Sequence, residues 1–185
     1  SNCFILGVFV CVYGYINAAI VVTKKHSVVI EIFLILDFGD LGFLDRGEVI
    51  LYRMTKKLET IESESIEPNV DIIKIYTGIT DKFFKFSVDS GSAGIVVEAL
   101  GVGNVPPKAF DGIKYAVQHS VPVVLVSRCP AGETLDIYSY PGAGKWIKEL
   151  GVIFTDYLNG QKARIKLMLA LTKTKDLIEL HKLFE

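Results

Sequence analysis

The sequence predicts an α/β protein whose C-terminal part is a parallel sheet covered by helices, and two features of its 185 residues lead there. The first is the stretch Gly94 to Pro107, GIVVEALGVGNVPP, a continuous apolar run that ends in glycines, an asparagine and two prolines. Ile95, Val96 and Val97 do not alternate with polar residues, so both faces of this strand should be covered, as in a parallel sheet between helix layers. The second is the rhythm around it. Strand patterns at Val70 to Tyr76, Ala93 to Val97 and Val121 to Val126 alternate with helical patterns at Asp81 to Asp89, Pro107 to His119 and Gly144 to Leu150. Such alternation implies crossover connections and a Rossmann-like sheet.

At the start, Phe4 to Val22 is uncharged and long enough for a hydropathy window to flag it as a membrane span. Gly7, Gly14 and Asn17 interrupt it, and it breaks at Tyr13 to Asn17 into two runs rich in β-branched and aromatic residues. Strand-turn-strand is therefore preferred over a membrane helix. No basic residue precedes the run, which argues against a signal peptide. Ser1 stands directly before a buried-looking strand, so upstream sequence is expected. After the polar Thr23 to Ser27, the apolar pattern resumes at Val28 to Leu36. Asp37 to Arg53 reads as a loop and a short hairpin: Phe43-Leu44, a turn through Asp45-Arg46-Gly47, and Val49 to Tyr52. The DFG at Asp37 is loop chemistry, because the lysine and HRD partners of a kinase are missing. Met54 to Asn69 shifts to Lys, Glu, Ser and Thr without apolar periodicity, the composition of a linker. The expected division is 1–53, a linker at 54–69, and a domain at 70–185.

Within the organising stretch, Glu98 marks where the chain should leave the core. Gly101 and Gly103 permit a tight backbone path, and Pro106 and Pro107 suit the start of a helix through Phe110, Ile113 and Val117. GVGN reads either as an ordinary strand-to-helix turn or as the rim of the ligand crevice that open α/β sheets form outside their strands' carboxyl ends. A dinucleotide fingerprint is rejected, since Pro106 occupies the third glycine of GxGxxG. PGAGKW, Pro141 to Trp146, resembles a phosphate loop only superficially, with Ser139 at the first glycine position and Trp146 in place of the magnesium-binding hydroxyl. Two helices should close the chain, Gln161 to Leu171 and Lys175 to Phe184. The first would turn Ile165, Met168, Leu169 and Leu171 inward, keep Lys162, Arg164 and Lys166 on a solvated face, and be capped by Asn159.

Half the residues are hydrophobic and 22% are charged, which excludes a disordered chain. A net charge of −1 offers no electrostatic case for nucleic acid or an anionic membrane, so a small neutral or zwitterionic ligand fits better. Cys3, Cys11 and Cys129 lack CxxC spacing, so reduced, buried thiols are the default, in keeping with a cytoplasmic location. His26, His119 and His181 lie far apart outside any HExxH, leaving a metal site unsupported.

Four blocks taken together are more specific than any one motif: IEPNVDIIKIY (Ile66 to Tyr76), GIVVEALGVGNVPP, VPVVLVSRCPAGETLDIYSYPGAGK (Val121 to Lys145) and LNGQKARIKLMLALTKTKD (Leu158 to Asp176). In order and spacing they resemble the C-terminal domain of the L-asparaginase/glutaminase family, and FGDLGFLDRGEVILYR (Phe38 to Arg53) resembles the end of its N-terminal domain. The resemblance implies that residues 1–53 are the β-rich end of a larger α/β N-terminal domain. It implies an amidohydrolase that converts L-asparagine, or a related amino-acid amide, to the acid and ammonia through an acyl-threonine, without metal or organic cofactor.

Such chemistry needs an activated hydroxyl and donors for the developing oxyanion. The family's TGGTI-like and TDT-like threonine motifs do not occur in this sequence, so the chain alone is expected to be inactive. VTKKHS, Val22 to Ser27, matches the place of the family's catalytic lysine and puts Lys24 there. Asn104 corresponds to a polar residue that reaches the active site of a neighbouring subunit, which implies a homo-oligomer, a dimer or tetramer. Thr23, Ser127 and Cys129 fall near an effector site of cytoplasmic members; Cys129 reads equally as a small buried hydrophobe. From the residues alone, Lys24 is a turn lysine between strands. The competing reading is a noncatalytic small-molecule-binding or subunit-association module. Strands at Phe4 to Val22 deprived of sheet neighbours should leave the first 50 residues poorly soluble or prone to association.

Overall fold

The computed structural model describes residues 7–24, 27–28, 33–34, 38–54 and 60–185, and the chain forms two compact units, Ser1–Thr60 and Ile61–Glu185. Cys3, the Phe4 to Leu6 start of the first apolar run, His26, most of Val28 to Leu36, Asp37 and residues 55–59 of the expected linker lie outside the described residues.

In the first unit β1 (Phe9–Val12) and β2 (Tyr15–Ala18) form one hairpin, and β5 (Gly42–Asp45) and β6 (Glu48–Leu51) another. They join into one antiparallel sheet of order β1-β2-β5-β6. Each hairpin turns on two residues of positive φ, Tyr13-Gly14 and Arg46-Gly47, the turn geometry whose twist matches that of the flanking strands. The first break is narrower than its sequence suggests, since Tyr15 to Asn17 already belong to β2. Among the described residues β3 (Thr23–Lys24) pairs only with β4 (Phe33–Leu34), antiparallel. Among the described residues no helix is long and apolar enough to cross a membrane.

In the second unit β7 (Val70–Lys74), β8 (Gly94–Ala99), β9 (Val123–Ser127) and β10 (Ile153–Phe154) form a parallel sheet of order β10-β9-β8-β7. The links between them carry α1 (Lys82–Asp89), α2 (Pro107–Gln118) and α3 (Gly144–Glu149). With neighbours in sequence also neighbours in the sheet, crossovers of one hand put all three linking helices on one face. That leaves the opposite face to α4 (Gly160–Ala170) and α5 (Leu177–Phe184).

The packing follows this division. Ile73, Ile95, Val97, Val123 and Leu125 join Phe84 of α1, Ile113 of α2 and Ile147 of α3 in one core. Val70, Val96 and Val124, pointing the other way from alternate positions, meet Leu167 and Met168 of α4 and Leu180 of α5 in a second. The unbroken apolar run of β8 is thus explained by burial on both faces. The segment before β7 carries no helix or strand from Thr60 to Asn69. Ile61 packs against the second core, Glu67 N donates to Met168 O, and the Ser63 and Thr172 hydroxyls share a hydrogen bond of 2.7 Å.

Several local expectations are corrected. Ile165 is 56% exposed, and the inward positions of α4 belong to Ala163, Leu167, Met168 and Ala170. Arg164 is not on a solvated face: its Nε donates to Val70 O at 2.6 Å and its Nη2 to Pro68 O at 3.0 Å, so the guanidinium ties the entry of β7 to α4. Lys162 is half-buried, and burial pushes its ammonium below the usual lysine range; Lys166 lies 4.9 Å over the Phe184 ring. The chain does not leave the sheet at Glu98, which pairs in register with Lys74 and meets its ammonium at 3.6 Å. Cys11 and Cys129 are free thiols as read, but exposed rather than buried, because one sits on the outermost strand and the other beyond the end of β9.

Candidate functional site

The apolar residues of β8 fix that strand in the middle of the sheet, and its carboxyl end delivers the GVGN turn. Leu100 N donates to Asn104 O at 2.8 Å, while Asn104 N and Gly103 N donate back to Leu100 O at 2.9 and 3.1 Å. This closed loop holds Asn104 at the foot of α2. The Asn104 Oδ1 atom is buried and has no hydrogen-bond partner among the described residues. A buried acceptor left in that state costs about 1–3 kcal/mol, which a donor reaching it recovers.

The neighbouring strand supplies the next piece. Ser127, last residue of β9, donates from Oγ to Gly101 O at 2.6 Å and accepts from Cys129 N at 3.1 Å. Its hydroxyl therefore couples the turn after β8 to the chain leaving β9. Arg128 extends the same tie, its backbone N donating to Ala99 O and its Nη1 to Ile75 O at 3.0 Å. From there residues 128–143, which carry no helix or strand, run along the GVGN turn. Leu135 N donates to Val102 O and Val105 N to Gly142 O, both at 2.7 Å.

Gly142 makes the second contact possible. Its φ is +91°, and an added Cβ would stand 2.2 Å from Val105 O, so only glycine fits. Side chains fasten the rest of the segment. Thr134, buried, donates to Thr155 O, the Tyr157 hydroxyl donates to the Glu133 carboxylate, and Lys148 of α3 meets Asp136 at 2.9 Å. That ammonium holds the Asp136 carboxyl below its ordinary range, by hydrogen bond first and charge second.

Of the residues singled out from the sequence, the structure brings Ser127 and Cys129 together, beside the turn that carries Asn104. The Cys129 thiol is exposed, so the alternative reading of a buried small hydrophobe is overturned. Thr23 and Lys24 belong to the first unit, on the short β3, where Lys24 is exposed opposite Phe33 and Thr23 is half-buried opposite Leu34. The strand order runs without reversal, so this sheet has no switch point. What lies over its carboxyl ends is the 128–143 segment. Sequence reasoning gave Arg128, Thr134, Leu135 and Gly142 no role of their own: they entered only as part of the Val121 to Lys145 block that carries the resemblance, and the glycine pair of PGAG was otherwise weighed as a phosphate loop.

The described features coincide with a known domain: residues 69–184 match the family model of the glutaminase/asparaginase C-terminal domain. Curated relatives agree. An L-asparaginase of Bacillus licheniformis is 32% identical over 155 residues, 84% of this chain and 48% of that protein. A glutamyl-tRNA(Gln) amidotransferase subunit of Methanobrevibacter smithii is 30% identical over 177 residues, 92% of this chain and 40% of that protein. A probable periplasmic L-asparaginase of Haemophilus influenzae is 31% identical over 185 residues, 97% of this chain and 52% of that protein. The chain spans about half the length of these relatives or less. With its parallel sheet, its GVGN turn and a domain match over residues 69–184, the chain belongs to the glutaminase/asparaginase family.

Proposed function

We propose that this chain is the C-terminal part of an amidohydrolase that hydrolyses L-asparagine to L-aspartate and ammonia. The observation that carries the reading is the domain match over residues 69–184; the Asn104 Oδ1, buried without a partner among the described residues, agrees with it. In this reading residues 1–53 close a larger N-terminal domain, 54–69 link it to the rest, and 70–185 form the C-terminal domain. Lys24 serves proton transfer to and from the attacking group. A threonine hydroxyl, supplied by motifs this sequence lacks, attacks the amide carbon; ammonia leaves, and water then cleaves the acyl-threonine. Asn104 enters the active site of a neighbouring subunit of a homo-oligomer and offers its carboxamide oxygen to a donor on the substrate. Thr23, Ser127 and Cys129 bind an effector amino acid. No metal or organic cofactor takes part, and the protein acts in the cytoplasm; cell fractionation decides between that and the periplasm named for the Haemophilus relative.

The experiment compares the purified chain with the same chain joined to an N-terminal segment carrying both threonine motifs, following ammonia release from L-asparagine and L-glutamine. The chain alone should release none, and the joined protein should turn over asparagine and lose that turnover on Lys24→Ala. Ammonia release by the chain alone, or turnover indifferent to Lys24→Ala, refutes the assignment. A second reading follows from the match to the Methanobrevibacter protein: the whole protein works as a glutamyl-tRNA(Gln) amidotransferase subunit, in which case turnover needs a partner protein. Calorimetric binding of asparagine without any rescued turnover instead favours the noncatalytic module.

A further inference from the structure

Helix α1 buries Phe84 and Ser87 and turns an apolar stripe outward, with Phe83 45% and Phe86 69% exposed. Residues 82, 83, 86 and 89 share this side of the helix, so the stripe is bounded by a lysine at its first turn and an aspartate at its last. Both charges oppose the helix dipole, which favours acidic groups at the start and basic groups at the end. The first turn holds no acidic residue and the last no basic one.

Local partners do not relieve this. The carboxylate of the preceding Asp81 makes no capping hydrogen bond and is taken up by Lys85 at 2.5 Å. Among the described residues Lys82 makes no ion pair and only overlies the Phe83 ring, and Asp89 accepts from the Tyr115 hydroxyl. A second α1 laid antiparallel across the first sets each Lys82 against the other's Asp89, puts an acid beside each first turn and a base beside each last, and closes Phe83 over Phe86. The same patch then serves both partners, as a two-fold contact requires.

We infer that the outer face of α1 is a self-association surface, through which two copies of this chain pair antiparallel, Phe83 and Phe86 at the centre and Lys82–Asp89 contacts at both ends. The inference is independent of the proposed catalytic role. A helix of eight residues covers far less than the roughly 800 Å² per partner of a standard stable interface. The pairing is therefore weak, reversible and sensitive to salt.

Sedimentation of the whole chain at rising concentration tests it. Wild type should show a weak, concentration-dependent association step, and Phe86→Ser should abolish that step. Lys82→Glu and Asp89→Lys should each weaken association about tenfold or more, because each sets like charges against one another at both contacts. An equimolar mixture of these two single variants should recover wild-type affinity, since each chain then supplies the charge the other needs at both ends. Tyr115→Phe removes the hydroxyl bonded to Asp89 and should leave association unchanged. A wild type that stays monomeric, association untouched by the reversals, a mixture no tighter than either variant, or loss with Tyr115→Phe would each overturn the inference.

Discussion

Gly112 is where α1 and α2 meet most closely, and Gly112→Ala tests whether that contact limits the stability of the second unit. An alanine Cβ would stand 2.5 Å from Phe84 Cδ2, 2.7 Å from Cγ and 2.9 Å from Cβ. Because the Phe84 Cβ is itself within the overlap, turning the ring cannot relieve it, and Phe84 is fully buried with no room to withdraw. Helix α1 has to move. Overpacking of this kind costs about 1–3 kcal/mol, against about 1 kcal/mol that alanine gains over glycine inside a helix. With three atoms in overlap the upper end applies, for a net loss of about 2 kcal/mol and a fall in melting temperature of about 8 °C for a unit of this size.

Urea unfolding followed by the fluorescence of Trp146, the one tryptophan, reads the change. That indole sits edge-on to Phe110 of α2 at 6.1 Å, so its emission reports on the helix that carries the substitution. The midpoint should fall with an unchanged slope. Phe84→Ala, which removes the Cγ and Cδ2 atoms of the overlap and leaves only Cβ, should cost less in the Gly112→Ala background than in wild type, with a coupling of about 1 kcal/mol or more. A Gly112→Ala protein as stable as wild type, or costs that simply add, would refute the argument.

Two further outcomes follow from local chemistry. Asn159 caps α4 by accepting from Lys162 N at 3.0 Å; Asn159→Ala should cost about 1 kcal/mol in the same urea assay, whereas Asn159→Asp keeps the acceptor and meets the positive end of the helix, so its stability should hold. The depressed Asp136 carboxyl should rise toward its ordinary range in Lys148→Met, measured by NMR titration. Being lowered in the folded state, it contributes stability that is fully present above the unfolded carboxyl's value and lost as pH falls through the folded one; in wild type the 128–143 segment should loosen from α3 in that acid window, whereas Lys148→Met, which has no ion pair left to lose, should show no such dependence on pH.

How far the sequence could be read depended on whether each feature is decided locally. Pro107 opening α2, Asn159 capping α4 and the β-branched run of β8 are choices of residue type with local causes, and the structure has them where the pattern put them. Features settled by a distant partner were misread. β10 is two residues long, too short to show a period. Ile165 fits an inward stripe by spacing alone, yet the narrow face of α4 is taken by Ala163 and Leu167. Arg164 looked like a surface charge because its acceptors, Pro68 O and Val70 O, are backbone atoms on another element.

The same distinction governs the candidate site. The GVGN turn was legible as a turn, since glycine and proline advertise backbone shape, but the segment lying along it was not. Leu135 N to Val102 O and Val105 N to Gly142 O are bonds between backbone groups that nearly every residue carries. They leave no trace in sequence except where a side chain is forbidden, and Gly142 is that place. Where the segment is fastened through its backbone, it keeps its course while exposed side chains change. The exposed residues Ile137, Tyr138 and Tyr140 are therefore free to vary without disturbing the turn that carries Asn104, whereas a change at Gly142 displaces Val105 and with it the backbone next to that carboxamide.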